Sequence, residues 1–134
     1  MTTEPRRRKR TPTAGHARRV LVLDDNATSQ TITKYVLEGA GHVCEVVATA
    51  RAALAAIATF TPDVVLYEWD LRGDAGIGLA AQLRERSGRL ARALVVIAVS
   101  VIDEPSEFRA RESVDDYFTK PLDLGALARL IRQI

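Results

Sequence analysis

A chain of 134 residues, 47% hydrophobic and 27% charged, is long enough for one domain with a single core. Its one cysteine, Cys44, excludes an internal disulfide and fits a reducing cytoplasm, and no apolar stretch reaches the roughly 18 residues that a membrane span needs. The net charge of +2 conceals two parts of opposite sign, +6 over residues 1–19 and −4 over the remainder.

Residues 1–18 hold charges, threonines, Pro5, Pro12 and Gly15 without apolar periodicity. Such a segment buries too little surface to offset its ordering entropy, so a disordered basic arm is expected over 1–18, ahead of one domain over 19–134. No apolar h-region follows the basic run, so it does not read as a secretory signal. Arg6-Arg7-Arg8-Lys9-Arg10 could contact nucleic acid by counterion release. No aromatic is interleaved for base stacking and no helix-turn-helix follows, so a solvated tail is favoured over a nucleic-acid contact through 6–10.

From Arg19 the pattern alternates. Val20–Leu23 is an aliphatic run too short for a helix and reads as a strand buried on both faces. Thr28 or Ser29 can cap a helix with Ile32, Tyr35 and Val36 at helical spacing, ending near Gly39 and Gly41. Val43–Val47 is a second strand, in which Cys44 reads as a small buried hydrophobe. Thr49 can cap an alanine-rich helix that turns Leu54 and Ile57 inward and ends before Pro62. Val64–Tyr67 is a third strand, closed by the acids Glu68 and Asp70. A loop with Gly73 and Gly76 leads to a helix with Leu79, Ala80 and Leu83. Leu94–Val99 is a fourth strand, and Pro105–Glu112 a weakly apolar helix. Tyr117–Phe118 marks a short fifth strand. Asp123 can cap a last helix with Leu124, Leu127, Ala128 and Ile131 on one face.

Strands alternating with helices predict a parallel sheet covered on both faces. Five such units match a flavodoxin-like doubly wound α/β fold, strand order 2-1-3-4-5, flanked by five helices. The site of such a fold lies outside the carboxyl ends of the strands. Asp24 and Asp25 follow the first strand, Glu68 the third and Lys120 the fifth, so the topology gathers all four in one crevice. Clustered carboxylates repel and call for a cation, a metal or a shared proton. Hard oxygen ligands suit magnesium, and with Lys120 they could spread the charge of a phosphoryl group. No Gly-rich phosphate loop follows the first strand, which argues against a nucleotide- or flavin-dependent enzyme.

This set resembles the receiver domain of two-component response regulators, over about residues 19–134. Asp24 and Asp25 match that family's metal-binding acidic pair, Tyr117 its aromatic switch position, Lys120 the lysine that contacts the phosphoryl group, and Gly76 the glycine closing the acceptor loop. Pro121 matches the proline after the lysine, whose peptide bond is typically cis in this family. Three positions depart. Glu68 stands where the acceptor aspartate would be. Arg72 stands at the usual proline of the acceptor loop. Counting back from Lys120 without a gap, Ala98 falls where the family has Ser or Thr; Ser100 replaces it only if two residues are missing between it and Lys120.

The resemblance implies a signalling module rather than an enzyme, a degenerate receiver whose ordinary phosphorylation is lost. Glu68 either pairs with Lys120 and holds an active-like state or only blocks phosphorylation, and phosphotransfer onto Glu68 or Asp70 is the remaining alternative. A weak magnesium affinity is implied at Asp24, Asp25, Glu68 and Asp70, the last through its backbone carbonyl. With the last helix closing at Ile134, a stand-alone cytoplasmic receiver is expected. It would act on a sensor kinase, a phosphotransferase or another regulator through about residues 103–134, with Arg129 and Arg132 turned outward.

Overall fold

The computed structural model describes residues 15–69, 78–90, 93–100 and 114–134. Along the chain run β1 (Arg19–Leu23), α1 (Ala27–Gly39), β2 (Val43–Val47), α2 (Ala50–Thr59), β3 (Val64–Glu68), α3 (Leu79–Arg89), β4 (Val95–Ser100), β5 (Asp116–Thr119) and α4 (Leu124–Arg132). The strands form one sheet in the order β2-β1-β3-β4-β5, and every neighbouring pair is parallel. This is the expected doubly wound order. Four helices lie among the described residues; the fifth, expected at Pro105–Glu112, lies outside them, as does the arm up to residue 14.

Alternate residues of each strand face opposite ways, and the core divides accordingly. Leu21, Leu23, Val65, Tyr67 and Val96 pack with Ala53 and Ile57 of α2 and Leu79 and Leu83 of α3. Val20, Val22, Leu66, Ile97 and Val99 pack with Leu37 of α1 and Leu127 and Ile131 of α4. Burial on both faces is why the strands read as continuous aliphatic runs instead of alternating ones.

Two helix starts behave as their sequences suggest. Thr49 accepts the amide of Ala52 at 3.1 Å, and Asp123 that of Ala126 at 2.9 Å. In α1 the cap is neither Thr28 nor Ser29 but Asn26, which accepts the Ser29 amide at 2.8 Å. The buried face of α1 also differs from expectation. Ile32 and Tyr35 are exposed, whereas Thr33 and Leu37 are buried. Of the apolar residues at helical spacing only Val36 packs against the core, and a threonine shares the inner face.

Residues 15–18 are tied to the domain. The His16 amide donates to the Arg132 carbonyl at 2.8 Å. The Arg18 amide donates to His42 Nδ1 at 2.9 Å, and His42 Nε2 lies 3.0 Å from the Ala128 carbonyl. An amide can only donate, so the buried imidazole accepts at Nδ1 and carries its proton on Nε2. Gly15 has φ +52°, and a Cβ there would lie 2.3 Å from the Arg132 carbonyl oxygen, so only glycine permits this approach. Arg132 is half-buried and donates to the Ala40 carbonyl at 2.9 Å, linking α4 to the end of α1 instead of turning fully outward.

Candidate functional site

Parallel pairing brings the carboxyl ends of β1, β3, β4 and β5 to one edge of the sheet. Asp24 continues β1, its amide donating to the Val47 carbonyl at 3.0 Å. Its carboxylate is buried and works locally: Oδ1 accepts the Asn26 amide at 2.9 Å and Oδ2 the Ser29 hydroxyl at 2.5 Å. The Gln30 side-chain amide donates to the Asp24 carbonyl. Asp24 therefore organises the turn into α1, while Asp25 beside it is exposed.

Glu68 ends β3 and is buried. Its carboxylate forms an ion pair with Lys120, the residue after β5. Lys120 is held by its own backbone, the amide donating to the Ser100 carbonyl at 2.8 Å, and the Lys120–Pro121 peptide is cis. Glu68, Lys120 and Asp24 line one cavity of about 230 Å³, which also reaches Ser29 and Thr33.

Strand register settles where Ala98 and Ser100 lie. Ala98 pairs with Tyr67 on one side and Tyr117 on the other, inside the sheet. All three are buried in the core shared with α2 and α3. Ser100 is the last residue of β4, fully buried, level with Thr119 and hence next to the Lys120 backbone. The carboxyl edge of β4 thus presents Ser100, and Ala98 lies two residues back from it. Gap-free counting from Lys120 misses this, because the length of the segment between β4 and β5 is not fixed by either strand. Tyr117 is buried beside Ala98, whose small side chain leaves room for the ring.

Among the described residues no group of three or more His, Cys, Asp or Glu stands close enough to hold a metal ion. Of the expected magnesium ligands, Asp70 lies outside the described residues. Asp24 and Glu68 line one cavity, but both Asp24 oxygens accept bonds from the α1 turn, Asp25 is exposed, and Glu68 pairs with a lysine. A carboxylate already neutralised by a lysine has little to offer a hard dication that sheds its waters reluctantly. These three carboxylates, as arranged, do not fit a resident magnesium ion.

The other strand-end acids serve the fold. Asp63 accepts the Arg19 amide at 2.8 Å, and Asp115 accepts the Val96 amide at 2.8 Å and an Arg84 guanidinium nitrogen at 2.5 Å. Sequence reasoning missed Ser29 and Thr33 as site-lining residues. Spacing alone gave no signal for Thr33, because it placed Ile32 and Tyr35 on the inner face that Thr33 occupies.

A sheet of this order, with acids after β1 and β3 and a lysine after β5, defines a receiver of the kind found in two-component signalling. Residues 20–132 match the family model of the response regulator receiver domain, and the chain belongs to that family. It is 30% identical over 115 residues to the DNA-binding transcriptional regulator NtrC of Salmonella typhimurium, covering 85% of this chain and 24% of that protein. It is 28% identical over 116 residues to the phosphate regulon transcriptional regulatory protein PhoB of Pseudomonas aeruginosa, covering 86% of this chain and 50% of that protein. The chain thus spans between a quarter and half the length of these relatives. A receiver domain (CheY-like) from Methylobacillus flagellatus superposes with a TM-score of 0.73 at 25% identity, covering 87% of this chain and 97% of that one. No helix among the described residues is long and apolar enough to cross a membrane.

Proposed function

We propose that this receiver works without phosphorylation and acts by binding a protein partner. The observation that carries this reading is the ion pair between Glu68 and Lys120. An acceptor carboxylate must be free to attack phosphorus, with cations spreading the charge of the transferred group. Glu68 is instead engaged by the very lysine that the family uses for the phosphoryl group. Its extra methylene, relative to aspartate, carries the carboxylate toward the place a phosphoryl charge would occupy. The pair therefore supplies, permanently, a contact that phosphorylation would otherwise create.

The remaining switch positions suit a constant state. Ser100 brings a hydroxyl to the edge of β4, beside the Lys120 backbone, and takes the Ser/Thr role that gap-free counting gave to Ala98. Tyr117 packs inward beside Ala98. The partner face is then the surface of β5 and α4, within residues 114–134, with Arg129 and Leu130 exposed on it. DNA binding, named for the relatives, is not carried over, since most of their length lies outside the match.

The test is intact mass after incubation with acetyl phosphate and magnesium. The wild-type chain should gain no phosphoryl group. Glu68→Asp should gain one, because Asp25 and Lys120 remain in place. A wild-type chain that is phosphorylated in good yield refutes the reading.

A further inference from the structure

His42 joins distant parts of the chain from one buried position. It is 3% exposed and lies between α1 and β2. Its Nδ1 accepts the Arg18 amide at 2.9 Å, and its Nε2 lies 3.0 Å from the Ala128 carbonyl of α4. Residues 15–18 close over this point as a clasp. Ahead of Arg18, the His16 amide donates to the Arg132 carbonyl at 2.8 Å. That carbonyl is one of the last in α4, which no amide of the helix itself can satisfy. Arg132 in turn donates to the Ala40 carbonyl at 2.9 Å, at the end of α1. The clasp, α1, β2 and α4 therefore meet around one imidazole.

The clasp depends on one protonation state. An amide has only a hydrogen to offer, so Nδ1 must be bare, as in the neutral ring that carries its proton on Nε2. A second proton occupies Nδ1 and sets two donors, the ring N–H and the Arg18 N–H, against each other. The Nε2 bond to Ala128 survives, so the ring stays on α4 and the clasp is the part that leaves. The charged groups around the ring do not offset this. The clasp brings Arg18, while Arg19 turns away to the Phe60 carbonyl. From α4 come Arg129 and Arg132. From β2 comes the Cys44 thiol, which burial keeps protonated at neutral pH; Glu45 lies on the opposite face of that strand. On α1, Glu38 is exposed and paired with Lys34 at 3.9 Å. The two partners of the ring are thus a backbone amide and a backbone carbonyl.

We propose that His42 is a pH-operated latch. Neutral, it holds residues 15–18 over the end of α4; protonated, it releases them. Closure is full where the imidazole is neutral and is lost as pH falls through the range of about 5 to 8 in which imidazoles change charge. An imidazole freed into water titrates near 6.5, so at pH 5.5 about ten open molecules are protonated for each neutral one, and opening is favoured about tenfold over pH 8. Release takes the outside donor from the Arg132 carbonyl and loosens the last turn of α4. The latch stands on its own geometry. Only its effect on a partner rests on the reading above, because α4 carries the face proposed for that partner.

The experiment is NMR on the full chain carrying His16→Gln, which removes the chain's other histidine and keeps the backbone donor at position 16. At pH 8 the ring nitrogens of His42 should show the proton on Nε2. Protection factors divide out the ordinary pH dependence of amide exchange. Between pH 8 and 5.5 those of the amides at position 16 and Arg18 should fall about tenfold, and those of β1 and β3 should not. His42→Asn places an oxygen that does not titrate where Nδ1 was, so its Arg18 amide should stay protected at both pH values. A proton on Nδ1 at pH 8, protection that does not change with pH, an equal fall in β1 and β3, or an equal loss in folded His42→Asn each overturn the proposal. If His42→Asn fails to fold, the ring tautomer and the pH response of the histidine form decide alone. Phosphorylation is read separately by mass, so the two proposals fail independently.

Discussion

Breaking the Glu68–Lys120 pair from either side should cost unequal amounts. The Glu68 side chain is 9% exposed and that of Lys120 is 35% exposed. Lys120→Met removes the cation paired with a buried carboxylate, a loss of roughly 2–4 kcal/mol. Glu68→Gln leaves a lysine that can swing its ammonium into water, while the glutamine still offers an acceptor. That loss should be about 1 kcal/mol. The double variant removes both charges and should cost less than the sum of the singles by roughly 1–2 kcal/mol. Urea unfolding at pH 7 measures each, provided the slope m is unchanged. At this chain length each kcal/mol corresponds to a melting shift of about 4 °C. Equal losses, a larger loss for Glu68→Gln, or strict additivity would refute the account of a pair buried on its carboxylate side.

Three further outcomes follow from the packing. Ala98→Leu should destabilise by about 1–3 kcal/mol, because the new side chain must enter the space between Tyr67 and Tyr117; near-ultraviolet circular dichroism should change with it. His42→Phe keeps the ring but removes the acceptor of the Arg18 amide and the donor to Ala128. It should cost about 1–3 kcal/mol and speed hydrogen exchange at Arg18 more than at any strand residue. Burial, and secondarily the Glu38 charge, raises the Cys44 thiol from 9.0 to about 11. At pH 8 its thiolate is then about a hundredfold rarer than that of an ordinary thiol, and alkylation by iodoacetamide should slow in proportion. Because the unfolded thiol ionises first, the stability this burial protects is full below about pH 9 and lost as pH rises toward about 11. Cys44→Ala should remove that alkaline loss.

The fold was readable because its signals are local and consistent. Val20–Leu23 and Val64–Tyr67 are aliphatic runs that only a doubly covered sheet can bury, and Thr49 and Asp123 cap as their side chains predict. Errors arose where a tertiary contact outweighs a local preference. Asn26 displaces Thr28 and Ser29 as the α1 cap because Ser29 is drawn to Asp24. Ile32 and Tyr35 look inward-facing by spacing, yet α1 turns Thr33 down over the cavity and leaves them outside. At the site, Glu68 and Lys120 were legible from their places at strand ends. That Ser100 ends β4 with Ala98 two residues further back was not, because a count along the chain cannot see how β4 and β5 are registered across the sheet.

That register also links the site at the sheet's edge to the face proposed for the partner. β3 and β5 are not neighbours; β4 lies between them. Strands in a sheet lie about 4.8 Å apart, so the Glu68–Lys120 pair spans roughly two such intervals, across the end of β4 where Ser100 sits. β5 has four residues and pairs with β4 alone, the weakest position a strand can hold. The ion pair ties this edge strand to the middle of the sheet, and the chain runs from Lys120 through Leu122 and Leu124 straight into α4. A charge contact at Glu68 is therefore mechanically a contact on β5 and α4. Lys120→Met should accelerate hydrogen exchange in Asp116–Thr119 and in the first turn of α4 while leaving β1 unchanged. Uniform acceleration across all five strands would show that the pair supports global stability only and does not govern the partner face.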